Sequence, residues 1–192
     1  MGCHPTAVDR LELVLVIIDL QVRLAAAMED PGAVVAAARL LIGAAGILGA
    51  PVIVTRQYPQ GLGDTVPELR AALDAYVVGG GHLSYADKTA FCCASEPEFA
   101  TALAATKRHH VLVAGMETHV CVAQTALALA HTGHLVHVAA DACCSRHVYD
   151  HEIALARMRA SGVIVTTAEA AVYEAFGEAG TPEFKALLAL VR

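Results

Sequence analysis

Residues 110–132 read HVLVAGMETHVCVAQTALALAHT. From His110 to Ala114 the run is short, apolar and rich in β-branched residues, which is the signature of a buried strand. Gly115 closes it. From about Cys121 the sequence turns to Ala and Leu and stays helical until just before Gly133. A strand that passes through a short connection into a helix is the building unit of a parallel sheet.

The same unit recurs on both sides. Leu13 to Ile18, LVLVII, is a strand ending at Asp19. Asp30 and Pro31 open a helix that runs to about Gly49, and Pro51 to Thr55 forms the second strand. After the turn-rich RQYPQGLGDT, a short helix is expected from Pro67 to about Asp74. The stretch GGGHLSYADKTAF reads as irregular, with a short strand near Leu83–Ala86. Ser95 and Glu98 suggest a capping box for a helix to about Lys107. Beyond Gly133, strands are expected at Leu135–Ala139 and Val163–Val165. A helix from about Tyr149 to Ser161 separates them. Two further helices follow, one capped by Thr166 with Glu169 and one opened at Thr181.

Strand and helix alternate with no linker and no repeat. Residues 1–192 therefore read as a single α/β domain, a doubly wound and mostly parallel sheet with helices on both faces, with residues 1–10 as a flexible tail. In such sheets the ligand site lies beyond the C-terminal ends of the strands, at a topological switch point. That rule points to Asp19, the loop after Thr55, the segment after Gly115, and Asp141.

Composition narrows the function. A net charge of −6 with no Lys/Arg cluster argues against a nucleic-acid partner. The apolar stretch Val34–Val54 carries Arg39 and is broken by Gly-Ala-Pro, so a helix and a strand are expected there and no membrane span. The opening MGCHPT fits a myristoylation pattern only formally, and a loose tail is the simpler reading. Six cysteines, two adjacent pairs and two singles, make no disulfide framework, which places the chain in a reducing cytoplasm. Gly79–Gly81 lacks the spacing of a dinucleotide loop, and no cofactor is expected. His131, His134 and His137 span a helix end, a turn and a strand, and His147 with His151 offers two ligands without a third.

Three residues carry chemistry. Cys121 sits where a helix begins, so its thiol is expected to have a lowered pKa, with free N–H groups able to receive an oxyanion. Asp19 places a carboxylate beside apolar surface, a costly arrangement unless it is partnered or used. Lys88 is an isolated cation. A nucleophilic thiol, an acid/base carboxylate and a charge-holding cation form a coherent set. Taken singly, each has a plainer alternative: a packing thiol for Cys121, a cap for a nearby loop for Asp19 and a solvated lysine for Lys88. Cys92, Cys93, Cys143 and Cys144 are read as packing residues.

These pieces, VIIDLQ with Asp19, DKTAF with Lys88 and AGMETHVCVAQTALAL with Cys121, resemble the isochorismatase-like cysteine hydrolases over nearly the whole chain. ADACCSRHVYDHEIAL, with Asp141, Ser145, Arg146 and Asp150, is similar to the family segment after the fifth strand. TRQYPQGLGDTVPEL is similar to a subgroup described only as hydrolases. The resemblance implies an Asp19–Lys88–Cys121 triad that cleaves a small amide-like substrate through a thioester. It also implies a cis peptide at Met116–Glu117, an oxyanion hole from the N–H groups of Glu117 and Cys121, and a homo-oligomer. Gln57, Tyr58, His119 and Val120 are expected to flank the pocket. Nicotinamidases in the superfamily bind a metal through an aspartate and histidines soon after the second strand. Here Arg56, Gln57 and Tyr58 stand in that stretch, so no metal is expected. Isochorismatases proper typically lack the cysteine, so the thiol favours acyl chemistry. A catalytically silent subunit with the same fold is the rival reading.

Overall fold

The structure, a computed structural model, describes residues 4–191. Six strands form one parallel sheet: β1 (Leu13–Ile18), β2 (Val52–Gln57), β3 (Leu83–Lys88), β4 (His110–Met116), β5 (Leu135–Cys144) and β6 (Ile164–Thr166). Their spatial order is β3-β2-β1-β4-β5-β6. The order reverses at β1, so the C-terminal ends of β1 and β4 bound the switch-point crevice.

β1 shows why the sheet is buried on both sides. Side chains alternate across a strand. Leu13, Leu15 and Ile17 enter one core with α2 (Pro31–Leu48) and α4 (Pro67–Val78), and with α8 (Ala168–Phe176) and α9 (Pro182–Leu188). Val14, Val16 and Ile18 enter the other core with α5 (Pro97–Thr106), α6 (Ala123–His131) and α7 (Val148–Ala160). A strand apolar at every position is what this double burial requires. The helix α2 is apolar and long enough for a membrane span by composition, yet it packs Val34, Ala38, Leu41, Ile42, Ala44 and Ala45 into the first core. Asp30 caps it by accepting from the Ala33 N–H, and Gly49 ends it in the left-handed conformation.

Several local expectations are corrected. Strand β3 is regular to Lys88, where an irregular stretch is expected, because it pairs residue for residue with β2 from Leu83 to Lys88. The Ser95 capping box does not form. Ser95 lies in a 3₁₀ turn, and α5 starts at Pro97. Thr167, not Thr166, caps α8. Residues 4–10 are not a loose tail. Val8 is buried, its N–H donates to Glu174, and the Thr6 carbonyl accepts from His137 Nε2. The formal myristoylation pattern begins at Gly2, which lies outside the described residues.

Between β4 and β5 the register shifts, with Val113 opposite Val138 and Gly115 opposite Cys143. Beyond the bulge β5 stays paired with β4 as far as Cys144 opposite Met116, which brings Ser145 to His119 in the segment after β4. Asp141, in the bulged stretch, accepts from the Ala168 N–H and serves α8.

Candidate active site

Asp19 follows the last residue of β1 and adopts a left-handed backbone with φ 52°. That conformation is uncommon for a residue with a side chain, although Asp tolerates it better than most, and it is typically held by surroundings at functional sites. Here Asp19 N–H donates to the Thr55 carbonyl of β2 at 3.2 Å, and Gln21 N–H donates to the Asp19 carbonyl at 2.8 Å. The carboxylate is fully buried. Its Oδ1 accepts from the Thr55 hydroxyl at 2.7 Å, and its Oδ2 lies 2.7 Å from Lys88 Nζ. The Oδ2–Nζ contact is an ion pair without hydrogen-bond alignment, since Oδ2 has no aligned donor among the described residues.

Lys88 ends β3, and its side chain crosses behind β2 to reach that carboxylate. Gln57 Oε1 accepts from Nζ at 2.6 Å, and Cys121 Sγ lies 3.5 Å from it. The Ala90 and Phe91 carbonyls, at 3.3 and 3.5 Å, also accept from Nζ. Burial acts to lower the lysine, but the charges of Asp19, Cys93 and Cys121 outweigh it, and its pKa is raised. The ammonium is therefore permanent at neutral pH.

Cys121 is 5% exposed. It lies in a π-helical turn, Thr118–Val122, ahead of α6. Such turns recur at functional sites. The expected lowering of its thiol is overturned. Burial pushes it up strongly, and the neighbouring Asp19 charge adds to the rise, while Lys88 opposes it. Desolvation of a thiolate outweighs the partial charge of a helix end one turn away. Burial also raises three further thiols, Cys93 to about 11, Cys144 to about 12 and Cys143 strongly. Basicity at rest does not single out Cys121. Its place beside both Lys88 and Asp19 does.

Asp19, Lys88 and Cys121 thus meet at one point, and the Met116–Glu117 peptide, four residues before Cys121, is cis. The flanking residues divide. Gln57 is buried and fully engaged. Its N–H donates to Gln21 Oε1, its Nε2 donates to the Thr89 carbonyl, and its Oε1 holds Lys88. Its side chain is thus turned onto Lys88 and the backbone after β3. Tyr58 is 54% exposed and also left-handed, with its N–H donating to the Lys88 carbonyl. His119 Nδ1 pairs with Ser145 Oγ at 2.9 Å, and Val120 is half-buried beside it.

Sequence reasoning missed the supports. Thr55 is buried against Asp19. Cys93, read as packing alone, donates its thiol toward Thr55 Oγ1 at 3.7 Å and takes part in the electrostatics of Lys88. Glu117 Oε2 accepts from Arg146 N–H and Nε, and Thr118 Oγ1 pairs with His151 Nδ1 at 2.8 Å. His151, one of the two histidines that offer ligands without a third, is thus engaged by Thr118. The one signal for these was proximity to strand ends. Arg56, expected after the second strand, lies within β2 and binds both Asp64 and Asp87, so those carboxylates already have a cation. Among the described residues no three His, Cys, Asp or Glu side chains gather as a metal site.

Residues 14–170 match the model of the isochorismatase domain. Isochorismatase domain-containing protein 2 of Bos taurus is 39% identical over 160 residues, which cover 83% of this chain and 73% of that protein. Among solved structures, the MAR1 ribonuclease from Caenorhabditis elegans has a TM-score of 0.86 at 35% identity, covering 96% of this chain and 92% of that one. The YcaC gene product from Escherichia coli, described as an octameric hydrolase of unknown specificity, has a TM-score of 0.84 at 23% identity, covering 96% and 90%. At that identity the YcaC likeness is one of fold.

Proposed function

The chain belongs to the isochorismatase family, and on that premise we propose that it is a cysteine hydrolase cleaving the C–N bond of a small amide-like substrate. One observation carries the reading: a buried Lys88 ammonium lies 2.7 Å from Asp19 Oδ2 and 3.5 Å from Cys121 Sγ. A buried ion pair that touches a thiol is a poor choice for stability alone.

The raised thiol defines the first step. Asp19 and Lys88 already neutralise each other, so a free thiolate would add net negative charge to a dry site. Transfer of the Sγ proton to Asp19 adds none: it exchanges a carboxylate–ammonium pair for a thiolate–ammonium pair. The thiolate attacks the carbonyl carbon as that bond forms, and the oxygen takes the charge. The N–H groups of Glu117 and Cys121 are the proposed donors to it. Collapse breaks the C–N bond, and Asp19 returns its proton to the departing nitrogen. Water then gives a proton to Asp19 and attacks the thioester. The acid departs, and the sulfur recovers its proton.

The free cysteines of the described residues support a reducing, cytoplasmic setting as part of this proposal. The octameric YcaC neighbour supports a homo-oligomer. A second reading comes from the C. elegans neighbour, described as a ribonuclease. The net charge of −6 and a nucleophile that is nearly buried favour a small neutral substrate over RNA.

The test is a panel of small amides, with nicotinamide, isochorismate and single-stranded RNA included, read by ammonia release and by direct product detection. We expect turnover of at least one amide by the natural chain. Cys121→Ala should lose it by at least about a thousandfold, as removal of a covalent nucleophile does. Turnover of an amide that survives in Cys121→Ala would end the thiol mechanism. Silence across the panel would favour the noncatalytic subunit.

A further inference from the structure

A carboxylate that receives a proton from one neighbour has to present a defined oxygen to it. Asp19 has two, and nothing in its own torsions chooses between them. Thr55 does. It sits on β2 opposite Ile18, the last residue of β1. It grips Asp19 twice, through its carbonyl on the Asp19 N–H and through its hydroxyl on Oδ1 at 2.7 Å.

The direction of that second bond follows from the chemistry of the groups. An ionised carboxylate only accepts, and a hydroxyl has one hydrogen to give. Thr55 must spend that hydrogen on Oδ1. Its oxygen is then left only to accept, so the Cys93 thiol, 3.7 Å away, is the donor into it. A one-way chain results, from Cys93 S–H to Thr55 O–H to Asp19 Oδ1, with every member buried.

We propose that Thr55 is a positioning residue for the proton transfer: it engages Oδ1 so that Oδ2 alone faces Lys88 and the Cys121 proton. The inference rests on the cysteine-hydrolase reading and specifies how its base is held. Two consequences are separable. The hydroxyl stabilises the anionic carboxylate, because a hydrogen bond to the charged form favours that form. It also stops the carboxylate from rotating.

The probe is acrylamide, a small electrophile that a catalytic thiol alkylates without any knowledge of the substrate. The full chain is treated from about pH 5 to about pH 9, and the rate at Cys121 is followed by peptide mapping. In Thr55→Val, which keeps the side-chain shape, the acid limb of the Cys121 profile should move up by about one pH unit. The plateau rate should fall by about tenfold. Thr55→Ser keeps the hydroxyl and should restore both to within about twofold. If Thr55→Val does not fold, Thr55→Ala carries the same comparison. A merely structural Thr55 would change the melting temperature and leave the shape of the profile alone. A Thr55→Val profile that superimposes on the natural one, with Cys121 labelled in both, overturns the proposal. Absence of labelling at Cys121 in the natural chain overturns the nucleophile reading, and this proposal with it.

Discussion

At the scale of single residues, the site is a buried charge pair. Asp19 and Lys88 have no exposed side-chain surface. Removing one member leaves the other desolvated and uncompensated, which costs about 3–5 kcal/mol, while removing both leaves no charge behind. Lys88→Met should therefore lower the urea midpoint sharply. Asp19→Asn with Lys88→Met should be less destabilised than the sum of the two single changes, with a coupling of about 1–3 kcal/mol. Additive losses in a double-mutant cycle of urea melts would mean that the pair is not coupled as its 2.7 Å separation implies. Asp19 and Cys121 stand out in the sequence beyond the ends of apolar strands, whereas Lys88, in a polar edge strand, was singled out through the family resemblance. Thr55 was not legible, since it is neutral and closes a strand pattern. Gln57 was read in the turn-rich stretch as flanking a pocket, and its hold on Lys88 appears only when β2 and β3 lie side by side.

At the scale of elements, the connection after β4 depends on one glycine. Gly115 has φ 152°, and a Cβ there would meet the Ile18 carbonyl oxygen at 2.1 Å. That oxygen belongs to the neighbouring strand backbone and has no freedom to withdraw. Gly115→Ala should destabilise the fold by about 3 kcal/mol or more, a cost reserved for such enforced clashes. It should also separate Asp19, one residue beyond Ile18, from Cys121. The prediction is checked by thermal denaturation alongside acrylamide labelling. A variant with an unchanged melt and normal Cys121 labelling would show that the β1–β4 contact is loose. The elements themselves were largely readable, since double burial writes continuous apolar runs into β1, β2 and β4. Strand β3 was readable only near Leu83–Ala86 and not to Lys88, because at the sheet edge it carries Ser84, Tyr85 and Asp87 half-buried or exposed, and its pairing with β2 makes it regular to the end. The π-helical turn at Cys121 was read as the start of a helix because a wider turn uses the same residue types.

At the scale of the whole molecule, the N-terminal segment closes the end of the sheet opposite the site, and a histidine holds it. His137 lies on β5, fully buried. Its Nε2 is 2.8 Å from the Thr6 carbonyl, so it carries the hydrogen. Its Nδ1 has no partner among the described residues. Burial lowers the pKa below the usual 6.5, and the nearby His110 lowers it further, against the opposing pull of the Thr6 carbonyl and Glu174. His151 is also lowered, mainly by burial. A group depressed in the folded state binds more protons when unfolded. Its contribution to stability is complete above the unfolded value and is lost as pH falls through the folded one. Stability should therefore be level from about pH 8 to 7 and decline from about pH 6.5 toward 5, with a slope of up to about 1.4 kcal/mol per pH unit for each such histidine. His137→Gln keeps an N–H for the Thr6 carbonyl and cannot titrate. Its urea midpoints over the same range should show roughly half the decline, with His151 accounting for the remainder. An undiminished decline in His137→Gln would mean that the proton enters elsewhere and that this histidine does not tie the N-terminal segment to the sheet in a pH-dependent way.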